Sequence, residues 1–477
     1  MTISLYEKII STLSKNIDIP APVIKRILSS ALKRIGKTQE EIEMQDIEEM
    51  IIKYAFVDFC IYLPLSTVKE KIKITLSEIG SSRTLTQKDI LPLVFTPSKP
   101  VTISDLFRGR RNQVESLMSV LNQPGRHAIL YGERGVGKTS MANFFRIIIG
   151  RNVAFAKVEC TVEDSYQSLW TRIFENLMVR SDEISKKRKD RKSTLRIEGS
   201  IKLSTFIPDE TKFSPSEIAD WLSPLEREIV IIIDEFDRLG ENFEKAKLAD
   251  TVKLFSDKFP NIRFLIVGVA DNVSKLIGHH ESIERNIQQI PVNLMNKREL
   301  EEIVESGFMQ LDMQISDEVK KKIAHFSCGY PYHVHSVCFY SCQIAIKSKQ
   351  TSVNTKHFRD AITAVINDTQ ESLRSNYHTA ITFRDKVKSK QLLSACAHVE
   401  SDEYGLFQAK DLVRHMEKIC GVSQKVQNFN ALLNKLTSLE RGEILICITK
   451  KKEKYFKLRN PLMKPFLLML HEINIGI

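Results

Sequence analysis

The chain has no long apolar run. No stretch of its 477 residues reaches the roughly 18 consecutive apolar positions of a membrane-spanning helix, which argues against a membrane partner. The N-terminus, MTISLYEKII, lacks the basic-then-apolar layout of a secretory signal. No C-x-x-C pair occurs either. Cys60, Cys160, Cys328, Cys338, Cys342, Cys396, Cys420 and Cys447 are scattered and mostly sit in apolar runs, which predicts reduced core thiols in a cytoplasmic protein. Cys338 and Cys342 lie four apart near His333 and His335; the spacing admits a metal, but the segment reads as a core helix. No nuclease motif is found. Acidic charge is in deficit: the net charge is +11, and the excess is localised. Residues 180–196 carry net +5 and residues 386–477 net +7, so the rest of the chain is close to neutral. Two basic regions on a near-neutral body point to a polyanion partner.

The most informative stretch that is present is GERGVGKTS at 132–140, which fits G-x-x-x-x-G-K-[ST]. An apolar run, His127–Tyr131, precedes it, and residues 140–149 follow at helical spacing. A strand passing through a glycine loop into a helix N-terminus gathers backbone N–H groups around one anion. Gly132, Gly135 and Gly137 let the backbone curl, and Glu133, Arg134, Val136 and Ser140 complete the cradle. Lys138 supplies a point charge for the β/γ-phosphates of ATP, and the Thr139 hydroxyl is placed to ligate Mg²⁺. About one hundred residues on, Ile229–Ile233 is apolar at every position and ends in Asp234, Glu235 and Asp237. Such a run suits a strand covered on both faces of a parallel sheet, with its carboxyl end opening on the ligand crevice. Asp234 is expected to hold Mg²⁺ through water, and Glu235 to orient and deprotonate an attacking water.

The remaining pattern predicts four parts. Residues 1–95 read as an all-helical module with near-balanced charge and no catalytic constellation, suited to docking or self-association. Thr38 and Glu41 resemble a capping box within it. A nucleotide core spans 101–290, with further strands at 153–160 and 261–270, and a helical lid spans 291–370. Residues 180–212 interrupt the core with KKRKDRK at 186–192, which reads as a localisation signal, a nucleic-acid contact or a solvated insertion. Residues 386–470 show three helical stretches, the third at 426–439, then a hairpin around Lys450, Lys451, Lys452 and Lys454. That is the order of a winged helix, in which Lys425, Asn428, Asn430 and Lys435 on or beside the third helix and the four hairpin lysines are candidates for duplex DNA. A protein-contact role for the same unit stays open.

In its ordered motifs the chain resembles AAA+ ATPases close to replication initiators and to STAND signalling ATPases. The motifs are FRGR at 107–110, the phosphate loop, IIIDEFD at 231–237, LIVGVADN at 265–272, SIERNIQQIPV at 282–292 and CGYPYHV at 328–334. The resemblance implies a parallel-sheet α/β core with a helical lid, an ATP- and Mg²⁺-dependent hydrolase, and homo-oligomeric assembly. It implies that Asp271 or Asn272 is a polar sensor near the γ-phosphate. Arg285 would be a finger reaching a neighbouring subunit's nucleotide. Initiators usually carry a lid arginine in Gly-Asp-x-Arg. Here the matching stretch is Gly329-Tyr-Pro-Tyr332, a form closer to prokaryotic ATPases of mobile-element, plasmid or defence contexts. The resulting expectation is a switch ATPase that assembles on DNA or with a partner protein. The rival is a signalling or anti-phage defence scaffold that controls a separately encoded effector without touching DNA.

Overall fold

The structure is a computed structural model that describes residues 4–475 except 61, 82, 84, 98–107, 150–152, 181–199, 209, 241, 270–284, 370, 403–404 and 451. The basic run at 186–192, the sensor candidates Asp271 and Asn272, and Lys451 therefore lie outside the described residues. The chain divides into two compact units, residues 1–310 with 330–332, and residues 311–329 with 333–477.

In the first unit the N-terminal residues are helical, as their apolar spacing predicts. Leu5–Asn16 and Ala21–Ile35 bury one face each, and Gly36, at φ 72°, ends the second with a left-handed residue. Thr38 and Glu41 do pair, through Thr38 N–H and Oγ1 to Glu41 Oε2 at 3.2 and 2.9 Å. They close a turn instead of capping a helix, because the next helix begins only at Met44. That helix, Met44–Glu49, runs through a π-helical segment, Met50–Ala55, into Phe56–Phe59. Leu65–Glu78 and Gln87–Val94 complete the set.

The same unit contains a five-stranded, wholly parallel sheet. Its strands are β1 (His127–Gly132), β2 (Ala154–Glu159), β5 (Ile229–Asp234), β6 (Ile262–Val269) and β7 (Ile287–Pro291), in the order β2-β5-β6-β1-β7. A separate short hairpin pairs β3 (Met178–Arg180) with β4 (Ser200–Lys202). All six residues of β5 are buried, which is why its sequence shows no alternation. The helices Lys138–Ile148, Tyr166–Asn176 and Asn242–Lys258 flank the strands, and Trp170, Phe174, Phe255 and Phe264 fill the core. This is the P-loop α/β arrangement. β7 is a strand that the sequence pattern did not predict; among the described residues it lies at the sheet edge and pairs with β1 alone. His127 anchors the start of β1. Its Nδ1 accepts from Phe264 N–H at 3.1 Å and its Nε2 donates to Val252 O at 3.2 Å, while burial pushes its pKa down to about 4 and keeps the ring neutral.

The second unit holds a minimal parallel pair, β8 (Gln314–Ile315) with β9 (Ser352–Val353), among the helices Asp317–Phe326, Pro331–Lys347, Thr355–Asp368 and Glu371–Ile381. His333, His335, Cys338 and Cys342 are buried on Pro331–Lys347, a core helix as predicted. No metal-binding cluster occurs among the described residues. Lys386–His398 and Val413–Cys420 follow, then a hairpin of β10 (Leu445–Lys450) and β11 (Glu453–Leu458). The third helix expected over 426–439 does not form as one element. It is a 3₁₀ turn at Val426–Asn428, a non-helical Phe429 at φ −132°, and a six-residue helix Asn430–Lys435. Polar side chains compete for the backbone there: Asn434 Nδ2 donates to Asn430 O at 2.7 Å and Thr437 Oγ1 to Asn434 O at 2.7 Å. A final helix, Met463–Ile475, was not foreseen and packs Phe466 against Tyr377 at 5.7 Å between ring centroids. The buried Arg441 forks onto Asp385 at 2.8 and 3.0 Å and stacks over Phe383, fixing the base of the hairpin.

Candidate nucleotide-binding site

The glycines of the phosphate loop are required by contact as well as by conformation. Gly132 ends β1 at φ 148°, and a Cβ there would lie 2.4 Å from the Val292 carbonyl oxygen. Gly135 and Gly137 follow at φ 86° and 97°, and Lys138 opens the helix. The loop thus joins the carboxyl end of β1 to a helix N-terminus, with Glu133, Arg134, Val136 and Ser140 between or beside the glycines, an arrangement suited to an anion.

Lys138 is only 8% exposed. Its ammonium donates to Gly132 O at 2.9 Å and Glu133 O at 2.7 Å, so the cation is folded onto its own loop. Burial pushes its pKa down to about 8, opposed by the carboxylates of Asp237, Asp234 and Glu133. Below the loop, Arg110 is a buried residue in the left-handed region at φ 61°. Its Nη2 donates to Val136 O at 2.9 Å and its backbone N–H to Glu299 Oε1 at 3.2 Å. Arg110 therefore braces the loop from behind, a role that spacing could not reveal, since the partner is a backbone carbonyl 26 residues away. Tyr330, from the Gly-Tyr-Pro stretch, donates its OH to Glu133 Oε2 at 2.9 Å.

Asp234 ends β5 with its side chain 3% exposed. Oδ1 accepts from Glu235 N–H at 2.9 Å and from Thr139 Oγ1 at 3.5 Å. Among the described residues Oδ2 is buried and receives no hydrogen bond, although Lys157 Nζ stands 3.1 Å away. A buried, under-satisfied carboxylate beside a hydroxyl at a phosphate loop fits a hard cation. Mg²⁺ takes few protein oxygens and fills its octahedron with water and phosphate. Thr139 and Asp234 are the residues that would hold it.

Glu235 turns away from the strand axis. Its φ of 52° is left-handed, an uncommon conformation for a residue with a side chain, and it points a half-exposed carboxylate outward. There its Oε2 accepts from Arg238 Nη1 at 2.7 Å. Asp237, the next carboxylate, is engaged elsewhere: Oδ1 accepts from Val269 N–H at 2.7 Å, tying the turn to the end of β6.

Arg285 is exposed in the turn just before β7. Parallel register pairs His127 with Ile287, so Arg285 lies at the amino edge of the sheet. The phosphate loop lies at the carboxyl edge, about 20 Å away along the six residues of β1. Arg285 is not brought to its own chain's loop. In the second unit, Lys425, Asn428, Asn430, Lys435, Lys450, Lys452 and Lys454 are all exposed. Only Asn430 and Lys435 lie in the short helix, and Lys454 Nζ donates to Asn434 Oδ1 at 3.1 Å, linking hairpin to helix.

The sheet order, the loop and the two carboxylates define a nucleotide-binding P-loop domain. Residues 106–267 match the family model described as the AAA ATPase domain. No curated protein matches the chain. Among solved structures, the chain is similar to a Walker-type ATPase of Pyrococcus abyssi at 15% identity, covering 79% of this chain and 99% of that one with a TM-score of 0.46. It is similar to the Aeropyrum pernix ORC2 protein at 16% identity, covering 81% and 98% with a TM-score of 0.45. The Drosophila ORC bound to DNA matches at 13% identity, covering 85% and 99% with a TM-score of 0.40.

Proposed function

We propose that this chain binds Mg-ATP between the 132–140 loop and Asp234, hydrolyses it slowly, and uses the bound nucleotide as a switch for assembling as a homo-oligomer on duplex DNA or with a partner protein. One observation carries the reading. A folded-back Lys138, the Thr139 hydroxyl and a buried, half-satisfied Asp234 meet at the carboxyl end of one parallel sheet, with Glu235 beside them. Lys138 exchanges its carbonyl partners for phosphate oxygens. Thr139 and Asp234 would hold Mg²⁺, which would supply neutralisation of phosphate charge. Glu235 leaves Arg238 and takes the proton of the attacking water. We take 1–95 as a docking module, 101–290 as the core, 291–370 as the lid and 386–470 as a winged helix. The test is particle mass with ADP, ATP or slowly hydrolysed ATP, each with and without duplex DNA. A mass that ignores nucleotide and DNA alike would sink the switch reading and favour a signalling scaffold in which ATP merely holds a closed state.

Arg285 is proposed to act on a neighbouring subunit, because its place at the amino edge of the sheet leaves its own loop out of reach. Arg285→Ala and Glu235→Gln proteins, each inactive alone, should regain turnover when mixed, since some interfaces then pair an intact finger with an intact base. Verified mixed oligomers with no recovered activity would remove Arg285 from this role.

The C-terminal unit is proposed to hold DNA through phosphates. Residues 386–477 carry net +7, and Asn430–Lys435 contains no arginine, the residue most often paired with guanine. Affinity should fall by about 0.9 log unit per phosphate neutralised for each tenfold rise in salt. Replacing Lys450, Lys451, Lys452 and Lys454 with alanine should weaken all duplex sequences alike and flatten that slope, leaving DNA-free ATPase activity unchanged. Affinity that stays the same in the quadruple variant would assign the hairpin to protein contact.

A further inference from the structure

A second cation stands in the Asp234 site, and the nucleotide reading does not use it. Lys157 lies on β2, whose parallel register with β5 places Lys157 opposite Ile232 and Glu159 opposite Asp234. Its side chain is 17% exposed. The ammonium is 3.1 Å from Asp234 Oδ2 and 3.6 Å from Glu159 Oε1, and it donates to Asn143 Oδ1 at 3.0 Å. Asn143 is one helical turn beyond Thr139, on the same face of Lys138–Ile148. Asp234 makes no other ion pair among the described residues. Oδ2 receives no aligned hydrogen bond among the described residues, so the contact between the lysine and Asp234 is one of charge.

The arrangement has two consequences. Without metal, Lys157 is the cation at ion-pair distance from the buried Asp234 carboxylate among the described residues. With metal, the same ammonium repels a dication that needs the same carboxylate. Glu159, 65% exposed and already within ion-pair distance, offers the lysine a second seat on a flexible four-carbon stem. We propose that Lys157 is a resident cation that competes with Mg²⁺ for Asp234 and yields by shifting to Glu159. The Lys157–Glu159 pair then sets the Mg²⁺ concentration at which the site loads nucleotide. The proposal rests on the reading of Thr139 and Asp234 as the metal site.

The experiment is equilibrium binding of fluorescent ADP to the full chain, followed by anisotropy while Mg²⁺ is titrated, with EDTA as the zero point. Lys157→Met keeps the stem and removes the charge. Its half-saturating Mg²⁺ should fall roughly tenfold, the order expected for one unit charge a few ångströms from a dication in a screened site. Glu159→Gln should move the midpoint the opposite way, because the lysine has lost its second seat. Lys157→Arg should stay near the parent. An unchanged or raised midpoint in Lys157→Met overturns the competition. If melting shows that variant to be unfolded, Glu159→Gln decides alone, and an unchanged or lowered midpoint overturns it. A parent protein whose binding ignores Mg²⁺ would instead remove the metal site itself, which is a different result from variants that merely match a Mg²⁺-dependent parent.

Discussion

Glu235→Gln should bind Mg-ATP as the parent does and lose about 10²- to 10⁴-fold in turnover, the range a positioned general base contributes. The amide keeps the size and the left-handed turn at φ 52° but cannot take a proton. It also weakens the 2.7 Å ion pair with Arg238, so nothing in the change should hinder nucleotide entry. That pair joins two half-exposed side chains and contributes little to stability, so melting should shift little. Single-turnover hydrolysis alongside equilibrium binding separates the two effects. Turnover equal to the parent's would move the base elsewhere. Asp237 would be next, although its Oδ1 is engaged by Val269 N–H. Asp234→Ala should behave differently and lose the Mg²⁺-dependent part of binding.

Lys138→Ala should weaken ATP binding by about two orders of magnitude, since hydrogen bonds to charged groups contribute roughly 1.5–3 kcal/mol each and an ammonium makes more than one. Titration calorimetry with and without EDTA is the measurement, and Thr139→Ala should lose only the Mg²⁺-dependent part. The parent carries its own pH signature. With its pKa held near 8 by burial, Lys138 is protonated below that value in the free protein and loses its charge above it. Binding favours the charged form, so affinity should be level below about pH 8 and fall by up to about tenfold per unit above it, levelling off once pH passes the higher pKa that the lysine takes beside bound phosphate. Lys138→Ala should lose that pH dependence together with the affinity. Affinity equal to the parent's in Lys138→Ala would end the phosphate-loop reading.

The parts of this site that were legible in the chain are the local ones. Three glycines, a lysine and a threonine within eight residues dictate a loop whatever surrounds it, because φ and the run of N–H groups are set by neighbours in sequence. The uninterrupted apolar run of β5 betrayed a strand covered on both faces, and with it the place of Asp234. The edge strand β7 was hidden because Ile287–Pro291 is half polar and short, and an edge strand buries one flank only. The break at Phe429 escaped a periodicity argument because a buried aromatic there keeps helical spacing while its backbone does not.

Sequence alone thus determined the phosphate loop, the acidic end of β5, the parallel α/β core and the two basic regions, all properties of residues adjacent along the chain. Tertiary structure alone decided which side chains meet. Arg110 reaches the Val136 carbonyl, Lys157 sits against Asp234, and Arg285 lies a strand's length from its own loop. The Lys157 contact and the place of Arg285 depend on the strand order β2-β5-β6-β1-β7, which brings Lys157 to a carboxylate 77 positions away. No local pattern encodes that order. It follows from burying every strand of the sheet between helices, a condition on the whole core and not on any one segment.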